Sequence, residues 1–229
     1  MSLKLANHVL AAGHEKLLVV HSQDRWARRA LQALREQWPY PLTEAAFVDI
    51  KGLTGAVGEA MQVAASETRK NEIANILGQQ LEFLPRARGD LDGIIALTTQ
   101  VEAEALVPAL RFHFADGLPV YATSQVTRGE NTARLAGFHL TEMPLFTAPS
   151  ANQAALTSSF ELEQNPYAEL YALGFDAYRL ATWLPILDAG TPVGVAAATG
   201  FLWLEADGAF RRNLSLSRIS REGLIPVEE

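Results

Sequence analysis

Two short, nearly unbroken apolar runs constrain this chain most: Lys16-Leu17-Leu18-Val19-Val20 and Leu91-Asp92-Gly93-Ile94-Ile95-Ala96-Leu97. A strand without polar alternation must be covered on both faces, as in a parallel sheet sandwiched between helices. Each run leads into a helical pattern. After the first, Ser22-Gln23-Asp24 offers capping groups. Ala27, Ala30, Leu31, Leu34 and Trp38 then recur at helical spacing, with Arg28, Arg29, Arg35 and Glu36 on the other face. Pro39 and Pro41 stop that helix. After the second, Val101 to Phe112 reads as a helix whose first turn carries Glu102 and Glu104, where the helix dipole favours negative charge.

The same alternation continues elsewhere. An opening helix (Leu5, Val9, Ala12) ends at Gly13. Thr43 to Ile50 reads as a weaker strand, and 54–80 as helix in one or two pieces, with Glu67, Arg69, Lys70 and Glu72 on a solvated face. Leu118 to Ala122 is a further strand, and Leu135 to Leu140 a fourth or edge strand. Strands alternating with helices predict an α/β fold: an open, mostly parallel sheet with helices on both faces, covering residues 1–145.

The tail has a different grammar. Residues 146–198 read as a crossing segment followed by a helix from Pro166 to Asp188, with Leu170, Leu173, Ala177, Leu180, Leu184 and Leu187 on one stripe and a kink at Pro185. Residues 199–229 read as a C-terminal hairpin returning to the sheet. Asp207-Gly208 is its turn, and Phe201-Leu202-Trp203-Leu204 and Leu214-Ser215-Leu216-Ser217 are its strands.

Composition narrows the function. A net charge of −7 with no basic block argues against a nucleic-acid surface. The absence of cysteine removes disulfides, thiolate nucleophiles and cysteine-ligated metal sites. No apolar run approaches the ~20 residues needed to span a bilayer. Met1-Ser2-Leu3 leads straight into a helical pattern, which reads as a start joined to an internal segment.

The motifs of catalysis are missing. Gly52-Leu53-Thr54-Gly55-Ala56-Val57-Gly58 matches neither a phosphate loop nor a dinucleotide fingerprint, and there is no Gly-x-Ser-x-Gly elbow. The five histidines form no metal-binding spacing. His21, beside Ser22 and Asp24 at a strand end, is the one place where a hydrolase-like base could sit. Neither a metal nor an organic cofactor is expected.

Position then becomes the guide. In open parallel sheets ligands bind at the carboxyl ends of strands. Those ends carry Ser22, Gln23 and Asp24, then Thr98 and Thr99, then Ser124 and Gln125. Their hydroxyl, amide and carboxylate groups suit a small polar ligand. The same groups equally suit capping of the helices that follow.

Several stretches together resemble the LppC family. They are Ala11-Ala12-Gly13-His14-Glu15-Lys16 leading into the first strand, Trp26-Ala27-Arg28-Arg29, and Leu81-Glu82-Phe83-Leu84-Pro85-Arg86 running into Arg88-Gly89-Asp90-Leu91-Asp92. Leu118 to Ser124, Leu170 to Leu180 and Ala198-Thr199-Gly200 with Asp207-Gly208 follow in the family's order. Gln125 replaces a histidine, and Glu142-Met143-Pro144-Leu145 an Asp-Met-Pro-Trp.

The resemblance implies a type I periplasmic-binding-protein-like domain with one near-complete lobe and part of a second. It also implies a non-catalytic regulator, lipid-anchored to the outer membrane on its periplasmic side, that binds and activates a class A penicillin-binding protein. The alternative is a periplasmic receptor for an amino acid, sugar or wall fragment in the cleft between lobes. If the second lobe is partial, Tyr167, Tyr171, Phe175, Tyr178 and Trp183 leave an apolar patch, and the chain is expected to self-associate.

Overall fold

The computed structural model describes residues 3–80, 82, 88–129, 131–162, 165–187, 189–191 and 193–227. The family-like stretch Leu81 to Arg86 therefore lies outside the described residues except for Glu82. The chain divides into two compact units. The first holds Leu3–Leu140 and Ile219–Gly223, and the second Thr141–Arg218 and Leu224–Glu229.

In the first unit α1 (Leu3–Ala11) ends at Gly13, whose φ of 82° is the left-handed stop expected of it. Then come β1 (Leu17–Ser22), α2 (Arg25–Gln37) and β2 (Thr43–Phe47). β2 is shorter than its sequence suggested because Asp49 already caps the next helix, accepting from the Gly52 N–H at 2.9 Å. The long helical region splits into α3 (Ile50–Ala60) and α4 (Val63–Leu77), broken where Gln62 takes a φ of 55°. β3 (Gly93–Leu97), α5 (Gln100–Phe112), β4 (Val120–Thr123) and β5 (His139–Glu142) complete the series.

β1 pairs in parallel with β2 on one side and β3 on the other, and β3 pairs in parallel with β4. Strand order therefore reverses direction between β1 and β3, the switch point at which open sheets form ligand crevices. Every residue of β1 and β3 is buried, as the unbroken apolar runs require. Leu31 and Leu34 of α2, Leu53 and Val57 of α3, and Leu106 and Leu110 of α5 supply the covering side chains. Each such leucine contributes roughly 1.5–3 kcal/mol. Between strands, Arg88 clamps Asp90 through two 2.6 Å hydrogen bonds, and its backbone N–H donates to the Met61 carbonyl. That guanidinium holds the Asp90 carboxyl at about 2, below its usual 3.8.

The edge strand departs from expectation. Leu135 lies in a 3-10 turn (Ala133–Leu135), Gly137 turns with a φ of 101°, and only His139–Glu142 is extended.

The second unit begins with two short helices in what the sequence reads as a crossing segment, α6 (Pro144–Thr147) and α7 (Ala151–Ser159), α7 being started by a Ser150–Gln153 capping box. α8 (Ala168–Trp183) follows, and Pro185 falls in the 3-10 turn Leu184–Ile186 that ends it. The leucine stripe of α8 is not its buried line: Ala168, Ala172 and Asp176 are buried, whereas Leu170 and Leu173 are 62% and 58% exposed. Small residues let α8 approach a cluster of Met143, Leu145, Leu162 and Ala198 closely, and the leucines turn outward.

The hairpin also shifts. β6 (Gly194–Ala196), β7 (Phe201–Leu204) and β8 (Phe210–Asn213) form a three-stranded antiparallel sheet. Gly208, with a φ of 81°, makes the expected turn, but the partner of β7 is β8 and not Leu214–Ser217. The latter segment belongs to β9 (Ser215–Ile219), which with β10 (Leu224–Pro226) joins the larger sheet in the order β10-β9-β5-β4-β3-β1-β2. The result is a mostly parallel α/β sheet flanked by helices, with a small antiparallel sheet beside it in sequence.

Candidate functional site

The carboxyl ends of β3 and β4 open on a pocket of about 500 Å³ lined by Thr99, Gln100, Gln125, Arg128, Asn131 and Arg134, together with Val101, Glu104 and Gly129. Thr99 caps α5: Glu102 accepts from the Thr99 N–H at 2.7 Å, completing a capping box. Glu102 is thereby committed to the helix end, and Glu104 turns the other way into the pocket wall. There Glu104 accepts from Gln100 Nε2 at 3.0 Å and pairs with Arg134 Nη1 at 3.3 Å.

Gln100 is the buried centre of this wall. Only 8% exposed, it also donates to the Asn131 carbonyl at 2.8 Å, and its Oε1 has no hydrogen-bond partner among the described residues. Gly129 permits this packing, since a Cβ there would lie 2.7 Å from the Gln100 amide carbon. Two guanidiniums, an amide cluster and one carboxylate give the pocket the chemistry to hold a small, polar, anionic group.

Of the residues expected from sequence, Thr99 and Gln125 line the pocket. Thr98 is wholly buried, its hydroxyl without a hydrogen-bond partner among the described residues, and the Ser124 carbonyl accepts from Thr127 Oγ1 at 2.7 Å. Ser22, Gln23 and Asp24 sit at the end of β1, where the Ser22 hydroxyl donates to Asp24 Oδ2 at 3.1 Å. These last three do not line the pocket.

Gln100, Arg128, Asn131 and Arg134 were not anticipated. The Gln100–Glu104 spacing on α5 was the one signal in the sequence that could have pointed to them.

The possible base at His21 is occupied otherwise. Its Nδ1 lies 2.9 Å from the Ser22 carbonyl oxygen, and its Nε2 faces Glu44 Oε2 at 3.8 Å. No nucleophile hydroxyl is within hydrogen-bond reach of the ring in the bonds made by the described residues. Among the described residues there is no cluster of histidine and carboxylate groups able to hold a metal ion, and no helix is long and apolar enough to cross a membrane.

The second unit carries a cavity of a different kind. A groove of about 530 Å³ runs along α8 and the end of α7, walled by Leu156, Phe160, Tyr167, Leu170, Tyr171 and Tyr178. Tyr178 is 78% exposed. Of the aromatic residues expected to leave a patch, Tyr167, Tyr171 and Tyr178 are exposed along this groove, whereas Phe175 and Trp183 are half-buried and Trp183 does not line it.

Comparison with known proteins fixes the family. The family model described as "LppC putative lipoprotein" matches residues 2–220. The chain belongs to the LppC family. A curated relative, the penicillin-binding protein activator LpoA of Photobacterium profundum, is 24% identical over 234 residues, covering 98% of this LppC chain and 38% of the relative. The chain therefore spans well under half the length of the curated relatives it matches. Among solved structures, the C-domain of LpoA from Haemophilus influenzae, described as a regulator of PBP1A, superposes with a TM-score of 0.71 at 17% identity. It covers 99% of this chain and 66% of that one. An ABC transporter substrate-binding protein from Desulfitobacterium hafniense gives a TM-score of 0.55 at 16% identity, covering 98% and 64%. The LppC fold here is thus that of the LpoA C-domain and of periplasmic binding proteins.

Proposed function

We propose that this chain is the contact-making part of an activator of a class A penicillin-binding protein, acting from the periplasmic side of the outer membrane and catalysing no reaction itself. The observation that carries this reading is the match of 98% of the chain to a relative named as such an activator. In this reading residues 1–145 form one near-complete lobe, 146–198 belong to a second, and 199–229 return to the sheet.

The test is stimulation of a purified class A penicillin-binding protein by the full-length protein, with and without this segment. The expected result is faster glycan polymerisation or cross-linking that disappears when the segment is deleted. No stimulation by the intact protein would discard the role.

Self-association is part of the same proposal. The groove along α8 is lined by aromatic and leucine side chains and has the character of a surface that another chain covers, here a second copy.

The pocket at the ends of β3 and β4 favours a second reading, a receptor for a small anionic solute such as an amino acid or wall fragment. Thr99 and Gln125 would be its near contacts, with Thr98 and Ser124 behind them and Ser22, Gln23 and Asp24 at the neighbouring strand end. Thermal-shift screening tests it, because a ligand at 100 times its Kd adds about 2.7 kcal/mol of stability. An absence of hits across amino acids, sugars and muropeptides would leave only the first reading.

A further inference from the structure

The outward face of the small sheet is arranged as two matching rungs. Gly194, Trp203 and Arg211 stand opposite one another across β6, β7 and β8, and Ala196, Phe201 and Asn213 form the next rung. Directly opposed residues share a face of the sheet. Each rung therefore reads small, aromatic, polar. The other face of β7 carries Leu202, which is buried.

The aromatic pair is held in place. Phe201 and Trp203 have ring centroids 6.5 Å apart with planes inclined by 34°. Trp203 Nε1 donates to Glu205 Oε1 at 2.9 Å, which fixes the indole. The Phe201 ring lies against Gly194, where a Cβ would meet first the Leu202 backbone carbonyl and then Phe201 Cε1 at 2.9 Å, so glycine leaves room for both the paired strand and the ring. Phe201 is 43% exposed and Ala196 is exposed beside it. Together they make an open, shallow platform rather than a packed core.

One positive charge stands on this platform. Between Thr141 and Arg218 the basic residues are Arg179, Arg211, Arg212 and Arg218, and of the two in β8 Arg211 shares the face of Phe201 and Trp203 while Arg212 stands opposite Leu202 on the other. Arg211 is exposed and has no ion-pair partner among the described residues. In a chain of net charge −7, a free guanidinium beside an exposed phenyl ring and a half-buried indole complements an anion that also has flat apolar faces.

We propose that this face binds a carboxylate-bearing glycan strand, specifically the amino-sugar chain of the cell wall. Sugar rings present C–H faces to Phe201 and Trp203, their hydroxyl and acetamido groups meet Asn213, and a carboxylate takes the Arg211 fork. The choice of the wall polymer among anionic glycans rests on the proposed activator role. The binding itself needs no synthase, so its failure and the failure of that role are read separately.

The test is co-sedimentation of the chain with purified insoluble murein at low salt, with soluble chito-oligosaccharide and polygalacturonate as competitors. The expected result is sedimentation that falls at least tenfold in Trp203→Ala and in Phe201→Ala, with unchanged circular dichroism. Arg211→Gln should weaken murein binding while leaving competition by the neutral chito-oligosaccharide intact, which separates the charge from the stacking. Competition by polygalacturonate equal to that by chito-oligosaccharide would overturn the assignment to an amino-sugar chain. Failure of the unaltered chain to sediment, or sedimentation indifferent to both aromatic substitutions, would overturn the site.

Discussion

Asp176 on α8 is tied to Thr199 by two hydrogen bonds, accepting at 2.7 Å from both the Thr199 N–H and its hydroxyl. The Ala198 N–H donates to the other carboxylate oxygen at 2.8 Å. Asp176 is 2% exposed, so these bonds are its compensation for leaving water. Asp176→Ala orphans two buried N–H groups at once. The expected loss is about 3 kcal/mol, read as a lowered urea midpoint. Asp176→Asn, which keeps one acceptor, should lose less.

Packing between α3 and α5 depends on an absent side chain. His113 Nε2 lies 2.9 Å from the Thr54 carbonyl, and the ring fills the space over Gly58, where a Cβ would sit 2.5 Å from His113 Cε1. Gly58→Ala should destabilise the first unit by about 1–3 kcal/mol through overpacking. Adding His113→Ala should make the Gly58→Ala change much less costly, a coupling that a double-mutant cycle measures directly.

The Arg88–Asp90 clamp gives a defined response to acid. The folded pKa of Asp90 is lowered from 3.8 to about 2, first by its hydrogen bonds to Arg88. Its contribution is therefore fully present above pH 3.8 and is lost as pH falls from there toward 2. The pair is solvent-accessible, so the effect should stay under about 1 kcal/mol. Stability of the unaltered chain and of Asp90→Asn should differ at pH 6 and converge near pH 2.

The groove on α8 makes self-association testable by a surface change. Leu170 is largely exposed, so Leu170→Glu should leave the melting temperature nearly unchanged. Sedimentation velocity should show the unaltered chain shifting to larger species with concentration and the variant remaining monomeric. Identical behaviour of the two would remove the groove from the association surface.

Much of this fold was legible because β1 and β3 are undiluted apolar runs, and few environments other than a doubly covered sheet accept them. Legibility fails where composition is compatible with two placements. Leu135 to Leu140 looks like a strand, yet the left-handed Gly137 forces extension to begin later, at His139. On α8 the leucines and the alanines both form stripes. Which one is buried depends on how close Met143 and Ala198 can come, and periodicity carries no such information. In the pocket, Thr99 and Gln125 follow from the rule about strand ends. Arg134 reaches Glu104 across thirty residues of sequence through two 3-10 turns, a convergence without any local signature.

The five residues Ile219–Gly223 rejoin the first unit after the chain has built nearly all of the second. Ile219 exchanges backbone hydrogen bonds with Gly137 and Phe138 at 2.8 Å. Loss of the chain from residue 219 onward would therefore injure a body whose residues were almost all translated earlier. The first unit cannot complete its fold during synthesis until residues 219–223 have emerged from the ribosome.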